Sequence, residues 1–298
     1  MTSRELSALI LLGAIWGASF MFMRVAAPEF GVVPLVVLRT SLAALVFVPF
    51  LLARGGARQM LSLWRPLCVL GAINTAIPFA LFNFASLHLQ AAVLAILNAT
   101  APMFAAFVAF IWLKDRLHVS AVWGLIIGFG GVVLISLDKT VGNQISIAPV
   151  LAVIAAACCY GWGACIMKKW LTGARPVAVA AGSQLWASLL LAPVALAQLP
   201  PQWPSSLAWV NALALAIGGT GLAYLLYFYL IGSAGPAKAV MVGYLVPLFG
   251  IIWGVLLLDE VPSLWDFAGG GLILLGITLT SGIAQRMVVL VKRRLVVD

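Results

Sequence analysis

The chain has 298 residues, of which 64% are hydrophobic and only 8% are charged. Soluble domains carry roughly 25% charged residues, so this composition excludes a soluble globular fold and predicts an all-α polytopic membrane protein. The net charge of +9 does not indicate nucleic acid as a partner, because the basic residues lie singly or in small groups between apolar runs. That distribution predicts a lipid bilayer as the surrounding medium.

Ten apolar runs of about 20 residues follow one another, each long enough to cross a bilayer. The first begins at Leu6 and meets Arg24 without a small-residue cleavage site, so it predicts a membrane helix and not a signal peptide. The least distinct boundary is SLHLQAA from Ser86, between the third and fourth runs. The predicted spans are 6–26, 33–53, 66–86, 91–112, 119–137, 147–168, 177–198, 208–231, 237–258 and 265–284.

The basic residues predict the orientation of these spans. One side receives both termini and every second connection, and it carries 14 of the 17 Lys and Arg residues. The far side carries only Arg24 and Lys139, and Arg39 lies within a span. Both termini are therefore expected in the cytoplasm, with 286–298 as a basic tail. The 14 residues are Arg4, Arg54, Arg58, Arg65, Lys114, Arg116, Lys168, Lys169, Arg175, Lys238, Arg286, Lys292, Arg293 and Arg294.

Two charged groups follow apolar runs about half a chain apart. Lys114-Asp115-Arg116 follows the fourth span, and Asp259-Glu260 follows the ninth. Because five spans are an odd number, a duplicated half enters the bilayer upside down, and its end-loop charge then suits the opposite side. We therefore predict two inverted five-helix repeats, 1–140 and 146–285.

Identities at one fixed offset support the duplication. At an offset of 145 the pairs are Thr75 and Thr220, Leu81 and Leu226, Pro102 and Pro247, Phe104 and Phe249, Leu113 and Leu258, Asp115 and Glu260, Gly124 and Gly269, and Gly131 and Gly276. The first span aligns one residue differently, with WGA at Trp16 on WGA at Trp162.

A family resemblance rests on the same stretches. GPAKAVMVGYLVPLFGIIWGVLLLDEVPSLWDFAGGGLILLGITL resembles the second repeat of EamA-type members of the drug/metabolite transporter superfamily. AAVLAILNATAPMFAAFVAFIWLKDRLHVSAVWGLIIGFGGVVLI is a weaker copy, and WGASF resembles the family's opening helix. The resemblance covers nearly the whole chain. It implies a ten-helix carrier of a bacterial-type inner membrane, usually an exporter of small metabolites such as amino acids.

Polar and aromatic residues inside the spans are the candidates for a substrate site, because polar groups are unfavourable in lipid and face a cavity or a partner. Inverted repeats place such a site near the middle of the bilayer. The same residues also suit hydrogen bonds between helices and interfacial aromatic positions. The candidates are Trp16, Ser19, Asn74, Asn83, Asn98, Trp162, Tyr224, Tyr227, Phe228, Lys238 and Tyr244.

Two cations and two prolines have alternative interpretations. Arg39 is expected to extend towards the membrane surface, as long basic side chains do near helix ends. Lys238 follows Gly235-Pro236, a favourable helix start, and either meets a substrate carboxylate or marks the cytoplasmic edge. Pro102 and Pro247 occupy matching positions, where they act as gating bends or as kinks that serve packing.

The remaining residue types indicate what the chain lacks. All eight acidic residues and both histidines fall in loops, span ends or termini, so a buried proton relay is not expected and transport is predicted to follow the substrate gradient. No nucleophile–base pair or metal-ligand spacing occurs, so we expect no enzyme activity, cofactor or metal. Cys68, Cys158, Cys159 and Cys165 lie in apolar runs.

The substrate class remains open at this level. The predicted function is export of neutral or aromatic amino acids by alternating access. The alternatives are a phosphate-sugar or nucleotide-sugar translocator, an exporter of lipophilic drugs or cations, and a rigid scaffold without transport. The oligomeric state is not predicted.

Overall fold

The structure, a computed structural model, describes residues 1–53, 55–142 and 146–281; Arg54 and the predicted tail 286–298 lie outside the described residues. All regular structure in these ranges is helical. Eight apolar helices are long enough to cross a bilayer: α1 (Ser3–Phe30), α2 (Val32–Ala53), α3 (Trp64–Ser86), α4 (Ala91–Leu113), α5 (Val119–Thr140), α6 (Ala148–Trp170), α7 (Pro176–Ala197) and α8 (Ser206–Ala234). Two apolar helices of 17 residues follow, α9 (Val242–Leu258) and α10 (Leu264–Thr280). The predicted all-helical membrane class is confirmed.

The least distinct boundary in the sequence is a true helix end. Helix α3 stops at Ser86 and α4 starts at Ala91. Arg24 holds the intervening turn, since its Nη1 atom donates a hydrogen bond to the Leu89 carbonyl at 2.6 Å. Short helices, Ala57–Ser62 and Pro236–Ala239, precede α3 and α9.

Helix neighbours occur in matching sets from the two halves of the chain. Helix α1 packs on α9, and α6 packs on α4; α2 packs on α8, and α7 packs on α3. Helices α5 and α10 pack against each other. The two halves correspond helix by helix, five helices apart. Under this correspondence the α1–α9 contact becomes the α6–α4 contact, and the α2–α8 contact becomes the α7–α3 contact.

Glycines bring α5 and α10 together along a close interface. A Cβ added to Gly276 would lie 2.6 Å from the Gly124 carbonyl oxygen, and one added to Gly269 would lie 2.7 Å from the Gly131 carbonyl oxygen. Gly124 and Gly131 correspond to Gly269 and Gly276 at the sequence offset of 145. The contact between Gly124 and Gly276 is therefore the counterpart of the contact between Gly269 and Gly131. Helices without side chains at these points pack through backbone contacts, which is the usual role of small residues in membranes.

Helices α4 and α9 end in the same way. Lys114 and Asp259, which are 145 positions apart, adopt left-handed backbone conformations with φ of 60° and 52°. The following amide then bonds back across the last turn, Asp115 to Ala109 at 3.2 Å and Glu260 to Gly254 at 3.0 Å. A left-handed residue at a helix end lets the following amides donate hydrogen bonds to the last carbonyls of the helix. The two charged groups therefore share a backbone geometry as well as a sequence spacing.

The contacts of the first span correct one predicted alignment. Gly17 packs against Phe249, and Gly161 packs against Phe104. Since Phe104 and Phe249 are matched at 145, the contacts align the first span with the sixth at an offset of 144. The structural counterpart of Trp16 is therefore Tyr160, not Trp162. Trp162 lies two residues after Tyr160 and so about 200° around the helix axis. The alignment based on the shared WGA sequence therefore paired Trp16 with a residue on a different helix face.

Candidate substrate site in the helix bundle

Four of the predicted aromatic residues form a cluster between α1 and α8. The Trp16 ring lies 5.3 Å from that of Tyr227 and 6.3 Å from that of Tyr224, measured between ring centroids. Tyr224 also contacts Phe228 at 5.9 Å and Phe47 of α2 at 6.3 Å. Trp16, Tyr224, Tyr227 and Phe228 are half-buried. The sequence interpretation that these four residues share a site is consistent with this grouping.

A second aromatic group also combines residues from both halves of the chain. Tyr160 of α6 stacks on Phe82 of α3 with 6.0 Å between centroids, and Phe82 contacts Phe20 at 5.6 Å. With the offsets above, Phe82 corresponds to Tyr227 and Tyr160 corresponds to Trp16. The two aromatic pairs are thus counterparts. Tyr160 was not predicted as a site residue. Its counterpart, Trp16, is a different residue type, so identical residues in the two halves could not indicate this pair.

Arg39 of α2 is a buried cation close to both aromatic groups. Only 6% of it is exposed, so the expected extension to the membrane surface is wrong. Its Nε donates a hydrogen bond to the Thr220 hydroxyl at 2.7 Å, and its guanidinium lies 3.7 Å from the Phe79 ring centre. A planar, weakly hydrated guanidinium tolerates such stacking better than an ammonium group would.

No carboxylate balances the Arg39 charge within the part of the chain that the structure describes. The ion pairs found there join Arg24 to Glu260, Lys139 to Asp138 and Asp266, and Lys168 to Asp115. A buried charge without a partner carries a desolvation penalty of several kcal/mol. A bound anion would offset that penalty, so Arg39 is the strongest candidate anion-binding group in the described bundle.

Wide π-helical turns carry the threonine that contacts Arg39. Residues Ala214–Leu222 of α8 are π-helical, and the Thr220 hydroxyl donates to the carbonyl of Leu215, five residues earlier, at 3.1 Å. Residues Ala72–Ala76 of α3 form a matching π-helical segment around Thr75. Such bulges are frequent at functional sites because they displace side chains from the regular helix surface.

The counterparts of Arg39 and Thr220 are also polar and buried. At the offset of 145 they are Gln184 of α7 and Thr75 of α3, and neither side chain is exposed. Both amide atoms of Gln184 and the Thr75 hydroxyl lack a hydrogen-bond partner among the described residues. Each pair combines one residue from either half: Arg39 and Thr220 form a charged pair, whereas Gln184 and Thr75 are neutral and unsatisfied. Buried polar atoms without partners are uncommon and favour a functional interpretation.

Several predicted polar residues have structural contacts instead. Asn83 donates to the Val32 carbonyl at 2.9 Å and so connects α3 to the start of α2. Ser19 donates to the Ile15 carbonyl at 3.1 Å within α1. The Asn74 side chain packs tightly against Gly163 of α6. These contacts link helices or turns of one helix, although the Asn83 Oδ1 atom is buried without a hydrogen-bond partner among the described residues.

The other predicted residues lie in three different environments. The Asn98 Oδ1 and the Tyr244 hydroxyl are buried without a hydrogen-bond partner in the described ranges, so both remain candidates. Trp162 is 39% exposed and packs on Trp112 at 5.3 Å, apart from the Trp16 cluster. Lys238 is exposed before the start of α9.

The matched prolines occupy unequal positions. Helix α4 is interrupted at Ala99–Thr100, and Pro102 begins its second part, Ala101–Val108. Pro247 lies buried inside α9, whose own interruption comes earlier, after Pro236–Ala239. Broken helices next to a central site are typical of transporters, since they expose backbone groups to a cavity. The predicted gating role of the two prolines stays a prediction.

Comparisons with known proteins agree with this architecture. The model of the EamA-like transporter family matches residues 4–137 and 147–282. An uncharacterized transporter of Archaeoglobus fulgidus is 26% identical over 90% of this chain and 95% of its own. A probable terminal-alkyne amino-acid exporter of Streptantibioticus cattleyicolor is 25% identical over 93% of each chain.

A solved crystal structure shares the fold as well. It superimposes with a TM-score of 0.66 at 20% sequence identity and covers 96% of this chain and 99% of its own. At this identity the likeness concerns the fold alone. The family model covers both halves of the chain, the bundle is helical and apolar, and its full-length relatives are named as transporters. The chain therefore belongs to the EamA-like transporter family of the drug/metabolite transporter superfamily, and it is a multi-pass membrane transporter.

Proposed function

We propose that this protein is an inner-membrane carrier that exports neutral amino acids, preferably those with aromatic or large apolar side chains. Substrate binds between the two halves of the chain. The carboxylate meets Arg39 and Thr220, and the side chain lies among Trp16, Tyr160 and Tyr227. Export by the amino-acid exporter named among the relatives supports this substrate class.

The observation that carries the proposal is the Arg39 guanidinium, the one buried among the described residues, beside the Phe79 ring. One fixed positive charge matches one carboxylate. It would repel a lipophilic cation, which argues against drug or cation export. A sugar phosphate carries more negative charge and is normally held by several converging basic groups, whereas Lys238 is exposed at the end of the bundle.

The ammonium end of an amino acid requires acceptors, not a second cation. Gln184 Oε1 and Asn98 Oδ1 are buried carbonyl oxygens without hydrogen-bond donors among the described residues. Neutral acceptors bind an ammonium group without adding a net charge to the apolar bundle. We infer that these amide oxygens form the second polar end of the site.

The carrier mechanism rests on two inverted repeats of five helices each. Matching helix contacts in the two halves of the chain support this interpretation. Two repeats with the same packing can each adopt the conformation of the other around a central site. Ten spans, counted as α1 to α10, then divide between residues 1–140 and 146–285. The proposed motion alternates the access of the site between the two membrane faces.

Reconstituted protein should transport phenylalanine or leucine down a concentration gradient. Because no acid or histidine was predicted within a span, uptake should persist when a protonophore removes the proton gradient. The measurement is radiolabelled uptake into liposomes with the substrate gradient held constant. Phenylalaninamide, which lacks the carboxylate, should compete poorly. Preference for a sugar phosphate or a lipophilic cation over every amino acid would contradict the proposed substrate class.

Both termini are proposed to lie in the cytoplasm. The asymmetry of basic residues motivates this orientation, since positively charged connections are retained on that side. A reporter fused at Gln59 or Gly173 should therefore read as cytoplasmic, and one fused at Gln202 as periplasmic. A cytoplasmic reading at Gln202 would require a different number of spans.

A further inference from the structure

An ion pair with a buried carboxylate joins separate segments at one end of the bundle. Arg24 of α1 lies 3.1 Å from Glu260, the residue that follows Asp259 after α9, and only 3% of the Glu260 side chain is exposed. The Glu260 carboxylate also accepts hydrogen bonds from the amides of Ala91 at 2.8 Å and Ala92 at 3.2 Å, at the start of α4. Three separate segments of the chain therefore meet at one carboxylate.

Neighbouring contacts join the same segments. Arg24 donates to the Leu89 carbonyl at 2.6 Å. Gln90 donates to the Val261 carbonyl at 3.4 Å, so the α3–α4 and α9–α10 connections touch. These contacts join the three segments at one end of the bundle, here called the Glu260 gate and comprising Arg24, Glu260, Ala91 and Ala92.

The counterpart pair lies beyond the opposite end of α4 and is exposed. Glu260 corresponds to Asp115 at the offset of 145, and Arg24 corresponds to Lys168 at the first-span offset of 144. These two residues also form an ion pair, with 2.7 Å between Lys168 Nζ and Asp115 Oδ2. The pair is surface-exposed, at 63% for Lys168 and 48% for Asp115, against 35% and 3% for Arg24 and Glu260.

The difference lies in the third segment. Ala91 and Ala92 correspond to positions 236 and 237, in the short helix Pro236–Ala239. Among the described residues, Asp115 forms no ion pair or side-chain hydrogen bond with that helix, where Lys238 is exposed. An acid–base pair is thus present at both ends, but only the Glu260 gate is seated against the start of its facing helix.

We propose that the two ion pairs are alternating gates: opening the Glu260 gate is coupled to seating of Asp115 and Lys168 against residues 235–239, with Lys238 as a further partner of Asp115. This inference rests on the proposed carrier mechanism. An exposed ion pair stabilises little, whereas a buried carboxylate with two amide donors and an arginine stabilises a closed end strongly. If one of the two ion pairs is buried in each state of the carrier, each state gains one such stabilising contact. The two states then stay close in energy.

The test is hydrogen–deuterium exchange of the whole protein in lipid nanodiscs, with no substrate present. Glu260→Gln removes the charge and keeps the size of the side chain. Amides at the start of α4 should then exchange about tenfold faster or more, since a charge-assisted bond is lost. Peptides that cover 235–242 should exchange more slowly, because the opposite gate seats. Adding Asp115→Asn to Glu260→Gln should abolish that new protection.

Asp259→Asn is the matched control, because Asp259 is the adjacent, exposed acid. It should leave exchange unchanged at both ends. Faster exchange at α4 with unchanged exchange at 235–242 would overturn the coupling and reduce Glu260 to a local helix cap. Exchange at the α5–α10 interface reports whether each variant stays folded. Since the measurement needs no substrate, a wrong substrate assignment would leave its outcome intact.

Discussion

Replacing Arg39 by glutamine should raise the KM for phenylalanine by about 10- to 100-fold, because a charge-assisted bond to the substrate carboxylate is lost. The stacking on Phe79 and the bond to Thr220 would be lost with it. Arg39→Lys keeps the charge but not the planar geometry, so an intermediate loss is expected. Uptake kinetics in proteoliposomes measure both effects.

A merely structural role for Arg39 predicts a different pattern. If the guanidinium only connected α2 to α8, Arg39→Gln would lower the rate for every ligand and reduce thermal stability. If it binds the carboxylate, the variant should lose its discrimination between phenylalanine and phenylalaninamide. Arg65→Gln is the matched control, because Arg65 lies over Trp64 at 5.3 Å and is exposed. Equal discrimination in wild type and Arg39→Gln would refute the binding role.

Gly276→Ala should destabilise the bundle by about 1–3 kcal/mol or more, as overpacking of a close interface does. The new methyl carbon would lie 2.6 Å from the Gly124 carbonyl oxygen and 2.8 Å from the Gly128 Cα. Both are backbone atoms, so relief requires α5 and α10 to separate. Thermal unfolding in detergent should show a lower Tm, together with a smaller yield of folded protein.

The same helix supplies a control for this prediction. Gly271 lies five residues before Gly276 in α10, and a Cβ added there meets nothing within 4 Å. Gly271→Ala should leave Tm unchanged or raise it slightly, since alanine favours helix more than glycine does. On α5, Gly131→Ala and its neighbour Gly130→Ala form an equivalent pair, with Gly130 facing open space. Similar stability in both members of each pair would contradict the packing argument.

Composition was sufficient for the class of protein, and residue spacing was the basis for predicting a duplication. A chain with 8% charged residues cannot form a soluble core, and runs of about 20 apolar residues mark helices that lipid forces to satisfy their own backbone. The offset of 145 was readable because glycine, proline and acidic residues tolerate few substitutions at close contacts and helix ends. Asp115 and Glu260 are the clearest example, with their left-handed preceding residues.

The details of the site were decided by tertiary structure. Sequence identity aligned Trp16 with Trp162, whereas the helix contacts align it with Tyr160. The contacts decide the alignment because they show which face of each helix packs against its neighbour. Local reasoning placed Arg39 at the membrane surface; the structure buries it, since Thr220 and Phe79 lie within reach on other helices. The sequence by itself determined the all-helical membrane class and predicted the repeat spacing. Which charges are buried, and which segments meet at Glu260, depends on residues far apart in the chain, so only the folded structure could decide them.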